Sequence, residues 1–162
     1  MTHLEFHEFF EPIGAGGLTL TPKLRGLDGK RVRVLGHMVR QEHPTPGVLL
    51  LAPVPLSIEE HEGGFSDLPP NTVRVIVPAA RPVGNGKTPA AAPPRIGHTT
   101  RRLLLTGTLQ VGTREENDGS VSLVRLVLDP AASHPGAKNA GARSLRPSRQ
   151  PEPGKPAASR SR

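Results

Sequence analysis

His3 and His7 lie four residues apart, the spacing that puts two imidazoles on one face of a helix, and Glu8 is adjacent. His61 lies among Glu59, Glu60 and Glu62. Imidazoles and carboxylates together can hold a divalent ion, so His3, His7 and His61 are the candidate metal ligands. Spacing alone supplies no third ligand converging on the first pair, and single histidines in an acidic loop more commonly just face solvent. The chain has no cysteine, which excludes thiolate metal sites, disulfides and cysteine nucleophiles together. A second set, Arg31, Arg33, Arg74, Arg101 and Arg102, offers guanidinium groups suited to nucleic-acid phosphates. The same arginines serve equally as the solvated face of strands.

Two further patterns imitate chemistry without supporting it. Gly84-Asn-Gly-Lys-Thr88 resembles the end of a phosphate-binding loop, but the glycine required five places before Gly86 is Arg81. Pro89 and the residues after it open no helix whose N-terminus would cradle a phosphate. Glu115, Glu116 and Asp118 cluster where a hairpin tip is expected, and solvent there would keep their carboxylates ordinary. No acid–base pair or nucleophile is defined, so the expectation is a non-enzymatic protein with no catalytic residue and no cofactor.

The elements that position these residues are strands. Asp28-Gly29 opens a run in which Val32, Val34 and Met38 fall on one side and Arg31, Arg33 and His37 on the other. Gly36 interrupts this first strand, 30–40, where a bend or bulge is expected. The second strand spans 48–52. The third spans 72–77, with Val73, Val75 and Val77 inward and Arg74 outward. The fourth spans 102–112, with Leu103, Leu105, Leu109 and Val111 on one side, and the fifth spans 120–129. Leu4 to Phe10 fits one or two helical turns, Gly14 to Gly17 a flexible joint, and 18–27 an extended or irregular stretch. Segment 59–70 reads as an acidic loop and 81–98 as a long irregular one.

Asn117-Asp118-Gly119 is a hairpin signal between the last two strands. With Asp118-Gly119 as the central pair of a type I′ turn, Val111 faces Leu126 and Leu109 faces Leu128. A slip of one residue would put Arg125 into the core, so the apolar pattern specifies the register.

Five strands in about 100 residues, with a bent first strand and a closing hairpin, predict an all-β fold. The form expected is a small five-stranded OB-like Greek-key barrel with a short N-terminal helical segment. Leu27-Asp-Gly-Lys-Arg-Val-Arg-Val-Leu-Gly-His-Met-Val39, Leu49 to Pro53, Pro69-Pro-Asn-Thr-Val-Arg-Val75 and Leu105 to Leu109 resemble an uncharacterised bacterial family of small OB-like domains. The resemblance covers residues 24–129. It implies an accessory role, since many members are exported and some are lipoproteins encoded near ABC-transporter genes for metal or metabolite traffic. The chain departs from that pattern in lacking the cysteine and histidine usually placed just before Pro-Pro-Asn.

The organisation expected is an N-terminal aromatic segment and linker over 1–23, the barrel over 24–129 and a disordered basic tail over 130–162. The tail holds seven basic residues against Glu152, six of the seven net positive charges of the chain, and no apolar periodicity. It offers a route to nucleic acid by counterion release, but the barrel is nearly neutral. The chain has no Trp or Tyr and only four Phe, whereas single-strand grooves use aromatic stacking platforms. The expected function is therefore a binding or accessory module whose partner is most simply another protein. Metal handling and nucleic-acid binding are the alternatives. Glu5, Glu8 and Glu11 precede the first lysine or arginine, Lys23, and no run approaches the roughly 18 apolar residues of a membrane span. A cytoplasmic location follows from the chain as written, or a periplasmic one if a signal precedes it. Leu4, Phe6, Phe9, Phe10 and Ile13 are expected to fold back on the barrel as a plug.

Overall fold

The computed structural model describes residues 1–58, 68–79 and 92–129. Strand β1 (Thr2–Leu4) leads into a single 3-10 turn, Phe6–Glu8, and later a short helix α1 (Pro22–Gly26). The strands β2 (Arg31–Met38), β3 (Arg40–Gln41), β4 (Val48–Ala52), β5 (Ser57–Ile58), β6 (Val73–Ile76), β7 (Arg102–Glu115) and β8 (Val121–Leu128) follow. Six of them form one sheet in the order β1-β2-β4-β6-β8-β7, and β2 also pairs with β7, giving a ring-like arrangement. The pairs β1–β2 and β6–β8 are parallel, and the other neighbours in this sheet are antiparallel. Among the described residues no helix is long and apolar enough to cross a membrane.

The period of two in β2 holds throughout. Val32, Val34, Gly36 and Met38 are buried, while Arg31 and Arg33 are exposed. Gly36 marks no bulge. A Cβ there would stand 2.8 Å from both the Phe6 ring and the Leu51 side chain, so the glycine makes room where β2, β4 and the N-terminal turn converge. Gly107 on β7 is tighter still, since its Cβ would fall 2.1 Å from the Val127 carbonyl oxygen. The Asp28-Gly29 turn is fastened to β7, where Leu109 O accepts from Gly29 N–H and Asp28 Oδ1 from Val111 N–H.

The N-terminal segment belongs to this sheet and core rather than standing apart as a linker region. Leu4, Phe6 and Phe9 join Val32, Val34, Leu51, Val75, Leu109 and Leu126 in one cluster, and the Phe6 and Phe9 rings stack 5.4 Å apart. They fill the interior of the ring rather than covering its outer side. Ile13 does not join them. Residues 10–20 form a small antiparallel loop closed by the Phe10–Leu20 bridge and the Glu11 N–H to Thr19 O bond, in place of the expected flexible joint. The stretch expected to be irregular contains α1. Thr21 caps it by accepting from Leu24 N–H, and Pro22 occupies the first turn, where its missing N–H costs nothing.

A second, smaller cluster lies on the opposite face of β4. Val39, Leu50 and Ala52 are covered there by Leu56, Ile58 and Leu68. That face of the ring is thus occupied by the chain itself.

Candidate functional site: the outer face of β2 and β7

The register of β2 against β7 sets four cross-strand pairs on the outer side. They run Arg31–Thr108, Arg33–Thr106, Leu35–Leu104 and His37–Arg102. Parallel pairing of β1 adds His3 beside Arg33. Leu104 is 51% exposed, although it is paired within β7. Arg31 pairs with Asp129, its Nε donating to Oδ2 at 2.6 Å. Arg33 and Arg102 are exposed and have no ion-pair partner among the described residues. The result is an apolar pair, Leu35–Leu104, with cationic groups at both ends and threonines along one side. Arg101, exposed, leads into β7 beside this face.

At the His37 end the face runs into a cleft of about 300 Å³. His37, Arg40, Ser57, His98, Thr99 and Thr100 contribute its polar side chains. β3 and β5 are parallel with Arg40 opposite Ser57, which brings guanidinium and hydroxyl to the same spot. His98 Nε2 lies 3.3 Å from the Met38 carbonyl oxygen, and because a carbonyl only accepts, that contact requires the proton on Nε2. Arg40 and His98 were not singled out in the sequence. His98 ends a loop read as irregular, and only the Thr99-Thr100-Arg101-Arg102 run behind it carried a polar signal.

Arg74 takes no part in either surface, contrary to its expected outward, solvated position. It does point away from the main core, yet it is only 7% exposed, as is Arg125 directly opposite it on β8. Two like charges facing each other across paired strands would repel. The hairpin tip prevents this by folding its carboxylates back. Arg74 donates through both terminal nitrogens to Asp118 Oδ2 at 3.1 Å and through Nη1 to Ser120 Oγ at 3.1 Å. Glu116 lies 3.7 Å from both guanidinium groups, and Arg125 also donates to Ser122 Oγ at 2.8 Å. Two cations and two anions close a neutral cluster, which positions the hairpin rather than a ligand. In a shallow cleft beside it, Thr72 Oγ1 is buried without a hydrogen-bond partner.

Asp118 is therefore not an ordinary surface carboxylate. Burial pushes the Asp118 carboxyl up, but hydrogen bonds from the Ser120 hydroxyl and N–H, and then from Arg74, outweigh it and hold the group below its usual 3.8. A depressed carboxylate stabilises the fold above its ordinary value, and that contribution is lost as pH falls through and below it. Urea denaturation should accordingly show Asp118→Asn less stable than wild type at neutral pH, with the gap closing below about pH 3.8. A gap independent of pH would contradict the role given to Asp118.

The proposed metal ligands do not share a helix face. His3 is on β1, and His7 is on the 3-10 turn with its Nδ1 3.1 Å from Glu5 Oε2, both exposed. Glu8 is engaged by Lys23, which with the backbone contact at Glu5 holds its carboxyl below the usual range despite slight desolvation. His61 and the Gly84–Thr88 segment lie outside the described residues, as does 130–162. Among the described residues no three His, Asp or Glu side chains converge as a metal site. No protein-family model matches the chain, and no curated protein and no solved structure is found to be similar to it.

Proposed function

We propose that this chain is a non-enzymatic binding module built on an OB-type Greek-key barrel, and that it holds an acidic protein segment bearing an apolar side chain across β2 and β7. The strand order supports the OB assignment. A long β2 is shared between β4 on one edge and β7 on the other, and the ring continues through a parallel β6–β8 pair. OB folds commonly bind ligands on the face of their second and third strands. Here these would be β4 and β6, and Leu56, Ile58 and Leu68 already cover the β4 side of that face. The β2–β7 face carries no such apolar cover among the described residues.

The observation that carries the reading is the Leu35–Leu104 pair between Arg33 and Arg102, with neither arginine neutralised among the described residues. An apolar centre with a charged rim is the anatomy of a protein interface. Nucleic acid is less suited to it, because a single strand gains about 1–3 kcal/mol per base from aromatic stacking. This face has no Phe, Tyr or Trp side chain among the described residues, and Phe6 and Phe9 are in the core.

Fluorescence anisotropy with a labelled acidic peptide carrying a central leucine tests the reading. Leu104→Asp should weaken binding by about tenfold or more, as loss of a central anchor does. Arg33→Ser and Arg102→Ser should each cost roughly 1.4-fold to fivefold, the ~0.2–1 kcal/mol of exposed ion pairs, with the effect fading in high salt. An oligothymidylate bound more tightly than the peptide, and insensitive to Leu104→Asp, would overturn the protein reading in favour of nucleic acid.

A further inference from the structure

We propose that the cleft at the end of β2 binds a phosphate group carried as a monoester by a small molecule. This site lies beside the Leu35–Leu104 patch and is argued independently of it, because it rests on Arg40, Ser57, His98, Thr99 and Thr100. Among the described residues lining the cleft, Arg40, Ser57, Thr99 and Thr100 carry side chains that can donate a hydrogen bond, and none is a carboxylate. A volume of about 300 Å³ accommodates a phosphate with a few attached carbons.

The donors are arranged by contacts already made. His98 spends its Nε2 proton on Met38 O, which fixes the ring and leaves Nδ1 as its remaining polar atom. Thr99 Oγ1 accepts from Arg101 N–H at 3.2 Å, so its hydroxyl proton remains available to donate. Arg40 stands opposite Ser57 in the β3–β5 pair and has no ion-pair partner among the described residues. Arg102, across from His37, adds a further positive charge beside the cleft. Phosphate monoesters carry nearly two charges and three acceptor oxygens, which matches a guanidinium beside hydroxyl donors.

Two other clefts differ in their charge. The one beside Arg74 faces a guanidinium already neutralised by Asp118 and Glu116. The one between residues 42–46 and 95–96 has an acid, Glu42, in its lining along with Arg95. Of these three clefts, the one at His37 and Arg40 has hydroxyls beside an arginine without an ion-pair partner among the described residues.

Titration of the isotope-labelled full chain with inorganic phosphate, glycerol phosphate and an oligothymidylate tests the proposal by amide chemical shifts. Inorganic phosphate and glycerol phosphate should both bind and perturb His37, Arg40, His98, Thr99 and Thr100. Arg40→Ala should weaken them by about tenfold or more, the effect of losing one charge-assisted contact. Arg114→Ala, which removes an exposed charge from the hairpin arm, should leave the affinity unchanged. Absence of binding, or equal weakening by both substitutions, would overturn the site. Binding of the oligothymidylate alone would overturn it too, because a diester backbone would then be the ligand.

Discussion

Replacing Glu116 by Gln is expected to destabilise the fold by about 3–5 kcal/mol, the range for breaking a buried charge pair and leaving its partners uncompensated. Glu116 is the carboxylate shared by Arg74 and Arg125, and its own side chain is only 13% exposed. Without it, Arg74 keeps Asp118 while Arg125, aligned with it on the adjacent strand, loses its carboxylate partner. Arg74→Ala should be comparably harmful, since it strands Asp118 and Glu116 near a single guanidinium. Replacing Arg74, Glu116 and Arg125 together by apolar residues of similar size should recover most of the loss, because the cost lies in unpaired charge and not in the absence of the network. Chemical denaturation of the single and triple variants measures both. A Glu116→Gln variant within 1 kcal/mol (about a fivefold change in the unfolding equilibrium) would show that solvent reaches the cluster freely.

Phe9→Ala is the second large effect, at about 3–5 kcal/mol. The side chain is fully buried, stacks on Phe6 and fills the interior of the ring at the start of the chain. Each kcal/mol lowers Tm by roughly 2–8 °C across domains of about 60–250 residues, so a drop of about 6 °C or more is expected in a thermal melt. Ile13→Ala supplies the contrast. Ile13 belongs to the same apolar group in sequence but is 84% exposed, so its truncation should change Tm little. Equal effects at the two positions would mean that the segment packs loosely as a whole.

What was legible in the sequence was the set of strands whose two faces differ sharply in polarity. Val32 and Val34 against Arg31 and Arg33 give β2 its inward side, and Val73 and Val75 do the same for β6. The hairpin is more instructive. Its parity is as expected, with Leu109, Val111, Val124 and Leu126 sharing a face, but Leu109 pairs with Leu126 and Val111 with Val124. Two single-residue displacements produce this. The loop contains three residues between Glu116 and Ser120, with Gly119 at φ 79°, and a bulge falls between Val111 and Arg114, where Gly112 has φ 133°. Each displacement alone would have turned Arg125 inward, and together they cancel.

The features that stayed hidden depend on neighbours distant in sequence. Alternation places Arg74 on the outer side, but only the fold-back of Glu116 and Asp118 makes that position buried. Thr2–Leu4 is too short to signal a strand, and its extended form comes from parallel pairing with Val32–Val34. The cleft joins Arg40, Ser57 and His98 from three separate segments, so no spacing in the chain announces it. The Leu35–Leu104 patch was half visible, since both leucines break the polar side of their strands, but which apolar side chains remain exposed is decided by where the loops settle.

Amide chemical-shift mapping of the full chain with the acidic leucine-bearing peptide tests the proposed binding face most directly. The account predicts perturbations centred on Arg33, Leu35, Arg102, Leu104 and Thr106, weakening as salt rises and vanishing in Leu104→Asp. Perturbations centred on β4 and β6, or no response along β2 and β7, would contradict it.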